Sequence, residues 1–264
     1  RVLITGCTGI LGSWLTIKLI DLGADVVGIV RDWVPKSQLF MSESIEHLNI
    51  VRGDITDEAL LAGVFSDYEI ETCFHLAAQT AVSIANQAPV PTFEVNIRGT
   101  WMILEAARRC PGLRQIVVAS SDKAYGEHET LPYSEEASLL GNHPYDVSKS
   151  CADMLARAYA HSYGLPVVVT RCANMYGGGD LNWNRIVPGT VRSIIRGERP
   201  IIRSDGSPRR DYVYVHDIVR GYLALVEGMH SSPEIHHGCA YNFGNDEPVS
   251  ALEMVESLIR LSNH

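Results

Sequence analysis

The sequence is short of positive charge and contains no long hydrophobic run. Its 264 residues include 22 Lys and Arg against 31 Asp and Glu, which gives a net charge of −9. Nucleic acids and anionic membrane surfaces attract basic proteins, so this balance argues against either as a partner. No apolar stretch approaches the roughly 20 residues of a membrane-spanning helix. With 46% hydrophobic and 20% charged residues, the chain is globular and not disordered.

The six cysteines and ten histidines lack the spacing of a redox or metal site. No two cysteines form a C-x-x-C pair, and several lie in apolar stretches, as buried free thiols do. The histidines, such as His128, His236 and His237, stand mostly in predicted loops, and we expect them at the surface. We therefore predict no metal, no disulfide framework and a cytoplasmic location. The chain lacks an initiator Met and a visible signal peptide, and it stops inside a helical pattern, so we expect both ends to be trimmed.

Short apolar strands alternate with helical patterns as far as residue 176. Six β-branched strands separated by helices predict an α/β fold with a doubly wound parallel sheet, of the Rossmann type. After residue 176 the alternation becomes less regular. We therefore predict a dinucleotide-binding domain over residues 1–176 and a smaller, mixed substrate-binding lobe over residues 177–264. The predicted strands cover residues 2–5, 26–30, 48–51, 73–76, 115–119 and 167–170.

A glycine-rich turn links the first strand to the first helix. Its sequence is T-G-C-T-G-I-L-G over residues 5–12. Glycine allows a sharp turn and lets the backbone approach a pyrophosphate, while the free N–H groups of the helix bind its charge. Three glycines can also simply close a tight turn. The position between a strand and a helix favours dinucleotide binding.

The end of the second strand bears on the choice between NAD and NADP. The position expected to hold an acidic residue for the adenosine ribose contains Val30, and Arg31 follows. A guanidinium beside the ribose favours a 2′-phosphate, which inclines the prediction modestly to NADP. Asp32 can still turn towards the ribose, and Arg31 can equally be a solvated loop charge.

Tyr145 and Lys149 lie four residues apart on a predicted helix and therefore share one face. Ser121 follows the fifth strand. A hydroxyl, a phenol and an ammonium group can then converge on a substrate alcohol. We expect Lys149 to lower the pKa of Tyr145, so that Tyr145 accepts the alcohol proton as hydride leaves for a nicotinamide.

Several motifs in order resemble one family, the extended short-chain dehydrogenase/reductases of the nucleotide-sugar epimerase/dehydratase group. Besides the glycine-rich turn and the Ser121, Tyr145 and Lys149 set, the chain contains H-L-A-A at residues 75–78, N-I-R-G-T at residues 96–100 and R-D-Y-V-Y-V-H-D at residues 210–217. The resemblance covers essentially the whole chain. It implies a tightly bound NAD or NADP and a nucleotide-diphosphate sugar as substrate.

The residues after Ser121 resemble one branch of that group. Ser-Asp-Lys at residues 121–123 is similar to the CDP-glucose 4,6-dehydratase branch, as are G-S-W-L at 12–15, G-G-G-D at 177–180 and R-I-V-P at 185–188. This resemblance implies oxidation at C4, loss of water across C5 and C6, and return of hydride to C6. Asp122 is the candidate acid at C6 and Lys123 the candidate base at C5, which needs a depressed pKa. Alternatively, Asp122 and Lys123 form a local ion pair that holds the loop.

Further site residues carry over by matching position. Asp54 and Ile55 are expected at the adenine, Gln79 at the nicotinamide side, and Asn96 in support of the cofactor pocket or its helix. Asn174 and Arg185 are expected to touch the sugar nucleotide and Arg210 to bind its pyrophosphate; the alternatives are a turn-forming Asn174 and a surface Arg210. The predicted cofactor-binding set is Gly6, Thr8, Gly9, Ile10, Leu11, Gly12, Arg31, Asp54, Ile55, Leu76, Ala77, Ala78, Gln79, Asn96, Ala119, Tyr145, Lys149 and Cys172.

Two other functions remain open on the sequence. A sugar-nucleotide 4-epimerase uses the same fold without an acid–base pair, and a catalytically idle protein can retain the cofactor site as a binding partner. The intact Ser121, Tyr145 and Lys149 set argues against the idle form. The resemblance also implies a homodimer through the two long predicted helices, residues 92–109 and 145–163.

Overall fold

The computed structural model describes residues 1–262. These residues form eleven strands: β1 (Val2–Thr5), β2 (Val26–Val30), β3 (Leu48–Arg52), β4 (Thr72–His75), β5 (Gln115–Ala119), β6 (Val167–Cys172), β7 (Asn174–Tyr176), β8 (Arg209–Arg210), β9 (Tyr212–Tyr214), β10 (Ala240–Phe243) and β11 (Val249–Ser250). Seven of them form one parallel sheet in the order β10-β6-β5-β4-β1-β2-β3, which confirms the predicted Rossmann-type α/β class.

Helices cover both faces of the sheet, and two apolar clusters lie between helices and strands. Short 3₁₀ turns cover Glu43–His47 and Asp122–Tyr125. The helices are α1 (Ile10–Asp21), α2 (Glu58–Asp67), α3 (Val82–Gln87), α4 (Pro89–Phe93), α5 (Gly99–Arg108), α6 (Pro144–Tyr163), α7 (Ile186–Ile195), α8 (Val215–Ser231), α9 (Pro233–His236) and α10 (Ala251–Leu261).

The strand order reverses between β1 and β4. Because β1 pairs with β2 on one side and with β4 on the other, the connections after these strands run to opposite sides. This divergence leaves a crevice at the carboxyl ends of the strands, which is where ligands of this fold class bind. Strand β2 is buried along its whole length, in keeping with helices on both faces.

The first long helix differs from its prediction. It begins earlier, at Pro89, where a proline fits the first helical turn. Between α4 and α5 it passes through a π-helical turn over Glu94–Arg98. Such turns displace side chains from the regular helical register and are frequent at functional sites, and this one contains Asn96.

The residues after 176 contribute to the sheet as well as to smaller elements. Strand β10 pairs with β6 and extends the six predicted strands to seven. Strand β9 pairs with β7, and β8 pairs with β11 in an antiparallel ladder. The division of the chain at residue 176 stays a prediction. Within residues 1–262, each helix is too short or too polar to cross a membrane.

Candidate active site

A cavity of about 870 Å³ opens at the carboxyl ends of the sheet strands. It brings together every predicted catalytic, cofactor and substrate residue except Asn96. The predicted residues that line it are Gly6, Thr8, Gly9, Ile10, Leu11, Gly12, Arg31, Asp54, Ile55, Leu76, Ala77, Ala78, Gln79, Ala119, Ser121, Asp122, Lys123, Tyr145, Lys149, Cys172, Asn174, Arg185 and Arg210.

The glycine-rich turn forms one wall of the cavity, and its backbone conformation leaves no room for side chains at Gly6 and Gly12. Gly6 has φ +74°, and a Cβ on it would lie 2.8 Å from the backbone N of Ala77. A Cβ on Gly12 would lie 2.1 Å from the carbonyl O of Gly6. Helix α1 starts directly after Gly9, which caps it without a side-chain hydrogen bond. The first N–H groups of α1 therefore face the cavity, where they fit the pyrophosphate of a dinucleotide.

The end of β2 contributes two charged side chains to the same cavity. The Arg31 guanidinium pairs with Asp32 at 2.6 Å and lies 3.9 Å from the Asp54 carboxylate. Oδ1 of Asp54 accepts hydrogen bonds from the N–H and the hydroxyl of Thr56. Arg31 is thus placed at the cavity rim with part of its charge balanced by Asp32, a pairing that the sequence did not predict.

Asn96 lies behind the cavity wall rather than in it. Its side chain is buried; its Oδ1 accepts from the N–H of Gln79 at 2.7 Å, and its Nδ2 donates to the Gln79 carbonyl at 3.0 Å. Nδ2 also donates to Ser148 Oγ at 2.9 Å. Asn96 therefore fixes the Gln79 backbone at the cavity and ties it to α6, the helix that holds Tyr145 and Lys149. Asn96 was also predicted to bind the cofactor, but its side chain does not line the cavity; its contacts suit a supporting role, which stays a prediction.

His75 is an exception to the expectation that histidines lie at the surface. It is the last residue of β4, only 3% exposed, with Nδ1 2.8 Å from Thr5 Oγ1 and Nε2 3.1 Å from Thr100 Oγ1. Burial, with a smaller contribution from Lys149, lowers the pKa of His75 to about 3. Thr5 Oγ1 also accepts from the N–H groups of Leu76 and Ala77, each at 3.1 Å. The neutral imidazole therefore belongs to the frame that holds the H-L-A-A segment against the cavity.

The 3₁₀ turn after β5 places Ser121, Asp122 and Lys123 side by side. Ser121 Oγ donates to Asp122 Oδ1 at 2.9 Å and accepts from the Lys123 N–H at 3.2 Å. Lys123 Nζ lies 3.1 Å from Asp122 Oδ2. The ion pair of the alternative interpretation therefore exists, and both of its side chains also line the cavity. A carboxyl group, an amine and a hydroxyl are available together at the reacting end.

Tyr145 and Lys149 reach the cavity from the first turns of α6, and both are at most 9% exposed. Lys149 Nζ donates to the Ala119 carbonyl at 2.7 Å. Burial lowers the pKa of Lys149 to about 8. Burial also raises the pKa of Tyr145 to about 12, against the smaller lowering effect of a hydrogen bond with Ser121.

The expectation that Lys149 brings the pKa of Tyr145 towards neutral pH is therefore not met by the protein alone. Removal of the phenol from water disfavours the phenolate more than the neighbouring groups favour it. A cationic nicotinamide ring would supply the missing positive charge when bound. The protein itself shields the Tyr145 phenol from water and places it next to Ser121.

The far end of the cavity is lined by residues that follow β6. Asn174 stands in β7, and Arg185 precedes α7 and pairs with Asp180 at 3.1 Å. Arg210 in β8 is exposed, and it lines the cavity together with Arg203. Several cationic groups at this end suit a diphosphate. Asp180 and Arg203 were missed as site residues; Asp180 stood in the noted G-G-G-D stretch, where its charge next to a glycine turn was the available signal.

The whole chain resembles known enzymes in sequence and in structure. CDP-glucose 4,6-dehydratase of Salmonella typhimurium is 31% identical over 97% of this chain and 74% of that protein. A double mutant of dTDP-glucose 4,6-dehydratase from Streptomyces venezuelae, solved with NAD bound, superposes with a TM-score of 0.86 at 28% identity, over 100% of this chain and 81% of that one. UDP-glucose 4-epimerase of Thermotoga maritima superposes with a TM-score of 0.87 at 28% identity, over 99% of this chain and 82% of that one.

Residues 2–244 match the model of one family. That match covers the glycine-rich turn, the Ser121-Asp122-Lys123 turn and the start of α6. It also covers the cationic residues at the far end of the cavity. The chain therefore belongs to the NAD-dependent epimerase/dehydratase family.

Proposed function

We propose that this chain is a nucleotide-sugar 4,6-dehydratase that uses Asp122 and Lys123 as its acid and base. The observation that carries the proposal is the position of this ion pair, which lies next to Ser121 in the same cavity as Tyr145 and Lys149. A 4-epimerase needs only the hydroxyl, the phenol and the lysine. Elimination of water needs a further acid and base, and these are present.

The first step oxidises the C4 alcohol of the sugar to a ketone, with loss of a hydride from C4 and of the proton from its hydroxyl. Tyr145 accepts the proton of the C4 hydroxyl, and Ser121 hydrogen-bonds the same oxygen. A nicotinamide held against Ala77, Ala78 and Gln79 would supply the hydride acceptor for C4 and the hydride donor for C6. The resulting ketone acidifies the C5 proton, which prepares the elimination.

The second step needs a neutral amine and a protonated carboxyl. Transfer of one proton across the 3.1 Å contact from Lys123 to Asp122 produces both. Lys123 then takes the C5 proton while Asp122 protonates the C6 hydroxyl, which leaves as water. The ion pair is thereby restored, and Lys123 returns its proton to C5 as C6 is reduced.

At the end of the cycle Tyr145 has one extra proton, and the Asp122–Lys123 pair is one proton short because Lys123 has given its proton to C5. Ser121 Oγ donates to Asp122 at 2.9 Å, and the hydrogen bond between Ser121 and Tyr145 lowers the pKa of the phenol. We infer that Ser121 passes this proton back and so resets the site.

The proposal is tested by incubating the protein with NAD or NADP and CDP-, GDP-, UDP- and dTDP-sugars, followed by mass spectrometry. A product lighter by one water supports the dehydratase. A diastereomer of unchanged mass instead identifies an epimerase and leaves Asp122 and Lys123 as a loop-holding pair. Asp122→Asn should lower water loss by about 100-fold or more while C4 oxidation continues. Glu129→Gln, an exposed neighbour outside the cavity, is the matched control and should retain the wild-type rate.

The two ends of the cavity suggest a division of binding tasks. We propose that residues 1–176 hold the dinucleotide through the glycine-rich turn and the H-L-A-A segment. Residues after 176, with Arg185 and Arg210, then bind the diphosphate of the sugar nucleotide, with Asn174 at the sugar. Arg210→Ala should raise KM for the sugar nucleotide by about tenfold with little change in the Kd of the cofactor.

We further propose that Arg31 allows NADP to bind alongside NAD. The support is the position of Arg31 at the cavity rim and the absence of an acid at Val30; Asp32 opposes it by pairing with the guanidinium. Titration of both cofactors by fluorescence tests this. Arg31→Gln should weaken NADP by about tenfold and leave NAD within about twofold. Equal changes for both cofactors would contradict the proposal.

We also propose a homodimer through α5 and α6. Each of these helices bears an exposed apolar side chain, Trp101 at 36% and Met154 at 61% exposure. Light scattering at micromolar concentration should give twice the chain mass, and Met154→Arg should shift the measured mass towards that of the monomer.

We also propose a cytoplasmic location, because the six free cysteines fit a reducing compartment.

A further inference from the structure

Arg171 is a buried cation that the proposed reaction does not use. It stands in β6 and is 1% exposed, among the largest fully buried side chains of the protein. Its Nε donates to Asp153 Oδ2 at 2.7 Å and its Nη2 to Asp153 Oδ1 at 3.0 Å. Both side chains of this bidentate pair have no exposed surface. Buried ion pairs add little net stability compared with apolar packing, so their placement calls for another explanation.

The third nitrogen of the guanidinium reaches a different element. Nη1 donates to the Tyr125 hydroxyl at 2.8 Å and to the Glu135 carbonyl at 2.8 Å. The guanidinium carbon also lies 4.8 Å from the centre of the Tyr125 ring. The Tyr125 hydroxyl in turn donates to Asn242 Oδ1 in β10 at 2.7 Å. Each nitrogen of the guanidinium and the Tyr125 hydroxyl therefore has an acceptor at hydrogen-bond distance, and the network holds one geometry.

The two elements joined by Arg171 are those that hold the reacting groups. Tyr125 is the last residue of the 3₁₀ turn that presents Asp122 and Lys123. Asp153 lies on α6 four residues after Lys149 and eight after Tyr145, and hence on the same face of that helix. The Arg171 guanidinium thus links the turn that holds Asp122 and Lys123 to α6, the helix that holds Tyr145 and Lys149.

We propose that Arg171 and Tyr125 are positioning residues that fix the Asp122–Lys123 turn relative to Tyr145 and Lys149. This inference rests on the proposed function, because only a dehydratase needs the acid–base pair in register with the phenol. The link has a partial backup, since Ser150 Oγ on α6 donates to the Ala124 carbonyl at 2.9 Å. That bond holds the backbone of the turn, whereas Tyr125 holds its end.

Tyr125→Phe tests the proposal, because it removes one hydroxyl and retains the ring over the guanidinium. Displacement of the turn should slow water loss by about 10- to 100-fold, while the rate of C4 oxidation stays within about threefold. Single-turnover reactions, quenched with borodeuteride, separate the two steps: the 4-keto sugar that still has its C6 hydroxyl should accumulate. The pH profile of C4 oxidation should stay unchanged, because Tyr145 and Lys149 are not displaced.

Tyr133→Phe is the matched control. Tyr133 stacks on Tyr125 with ring centres 4.8 Å apart, and its hydroxyl donates to the Gly126 carbonyl at 2.9 Å. Its carbonyl accepts from Asn242 Nδ2 at 2.8 Å, a bond that Tyr133→Phe retains together with the ring. It should leave the partition between the two steps unchanged. Asn242→Ala removes the acceptor on the other side of the Tyr125 hydroxyl and should reproduce the Tyr125→Phe effect in weaker form. It keeps the test open if Tyr125→Phe proves unfolded by circular dichroism.

Three results would overturn the proposal: wild-type rates in a folded Tyr125→Phe, equal slowing of both steps, or the same accumulation in Tyr133→Phe. Failure of the proposed function has a different signature. In that case the wild-type protein itself loses no water from any sugar nucleotide, before a variant is compared.

Discussion

Lys149 and Arg171 are two buried cations that differ in how many hydrogen bonds they make and in the direction of their pKa shifts. Lys149 lines the cavity with one hydrogen bond, from Nζ to the Ala119 carbonyl, and burial lowers its pKa to about 8. Arg171 lies behind the cavity with four hydrogen bonds. Burial opposes its charge too, but the hydrogen bonds to Asp153 and Tyr125 outweigh that effect and raise its pKa.

The difference indicates that Lys149 serves the reaction, whereas Arg171 serves to hold the surrounding elements in place. An underpaired ammonium retains positive charge that can act on a ligand, at a cost to the folded state. The Arg171 guanidinium uses four of its five N–H groups within the protein and lies outside the cavity, so its charge holds elements together instead of acting on a ligand. The two positions should therefore respond to removal of the charge in opposite ways.

The largest effect is expected at Arg171. Arg171→Met leaves the Asp153 carboxylate buried without its partner, so the free energy of unfolding should fall by about 3–5 kcal/mol. Urea unfolding measures this, with the exposed Arg157→Met on α6 as the control, expected to change it by less than about 0.5 kcal/mol. The double variant Arg171→Met, Asp153→Leu should recover most of the loss. If the free energy of unfolding falls no further than in the control, Arg171 contributes no more to stability than a surface charge does.

Lys149→Met should act in the opposite direction on stability while abolishing activity. At pH 7 the ammonium is protonated in both the folded and the unfolded state, so the folded state bears the full cost of burying it. Removal of the charge should raise the free energy of unfolding by about 3 kcal/mol or somewhat less. The gain should be complete below pH 8 and shrink towards pH 10.5, because the folded state then releases its proton first. Unfolding of the cofactor-free protein at pH 7 and 10 checks this, and a lower stability at pH 7 would refute it.

His75 extends the comparison to a base that burial keeps neutral. Its folded pKa of about 3 lies below the ordinary histidine value of 6.5, so between these values the unfolded chain binds a proton that the folded chain excludes. Stability should therefore fall as the pH drops below 6.5, by about 1.4 kcal/mol per unit from this group. The slope between pH 6.5 and 5 should be shallower by that amount in His75→Gln. Exposed His161→Gln is the control; a similar change of slope in that variant would contradict the assignment to His75.

The sequence predicted the elements around the cavity better than the contacts behind it. The glycine-rich turn and the Tyr145–Lys149 spacing are local patterns, and the structure places both at the predicted cavity. The partners of Arg171 lie 18 and 46 residues away along the chain, and no local pattern announces such a contact. Strand β10 was missed for the same reason: A-Y-N-F is short and becomes a strand only by pairing with β6. The high pKa of Tyr145 also depends on burial, which spacing does not reveal.

The Asp180–Arg185 pair combines features of Arg171 and Lys149, because it is an ion pair that also lines the cavity. Its substitution should have the smallest effect of those predicted here. The Asp180 side chain is 5% exposed and Arg185 is 35% exposed, with Nη1 3.1 Å from Asp180 Oδ2. Asp180→Asn keeps the shape and an acceptor for the Asn182 N–H, but it leaves the cavity-lining guanidinium less firmly oriented. KM for the sugar nucleotide should then rise by about tenfold with kcat nearly unchanged, the equivalent of one charge-assisted hydrogen bond. Asp217→Asn, which breaks the exposed pair with Arg220 on α8, should leave KM unchanged. If Asp180→Asn instead lowers KM, then Asp180 restrains Arg185 from the substrate, and the pair belongs with Arg171 as scaffold rather than with Lys149 as part of the site.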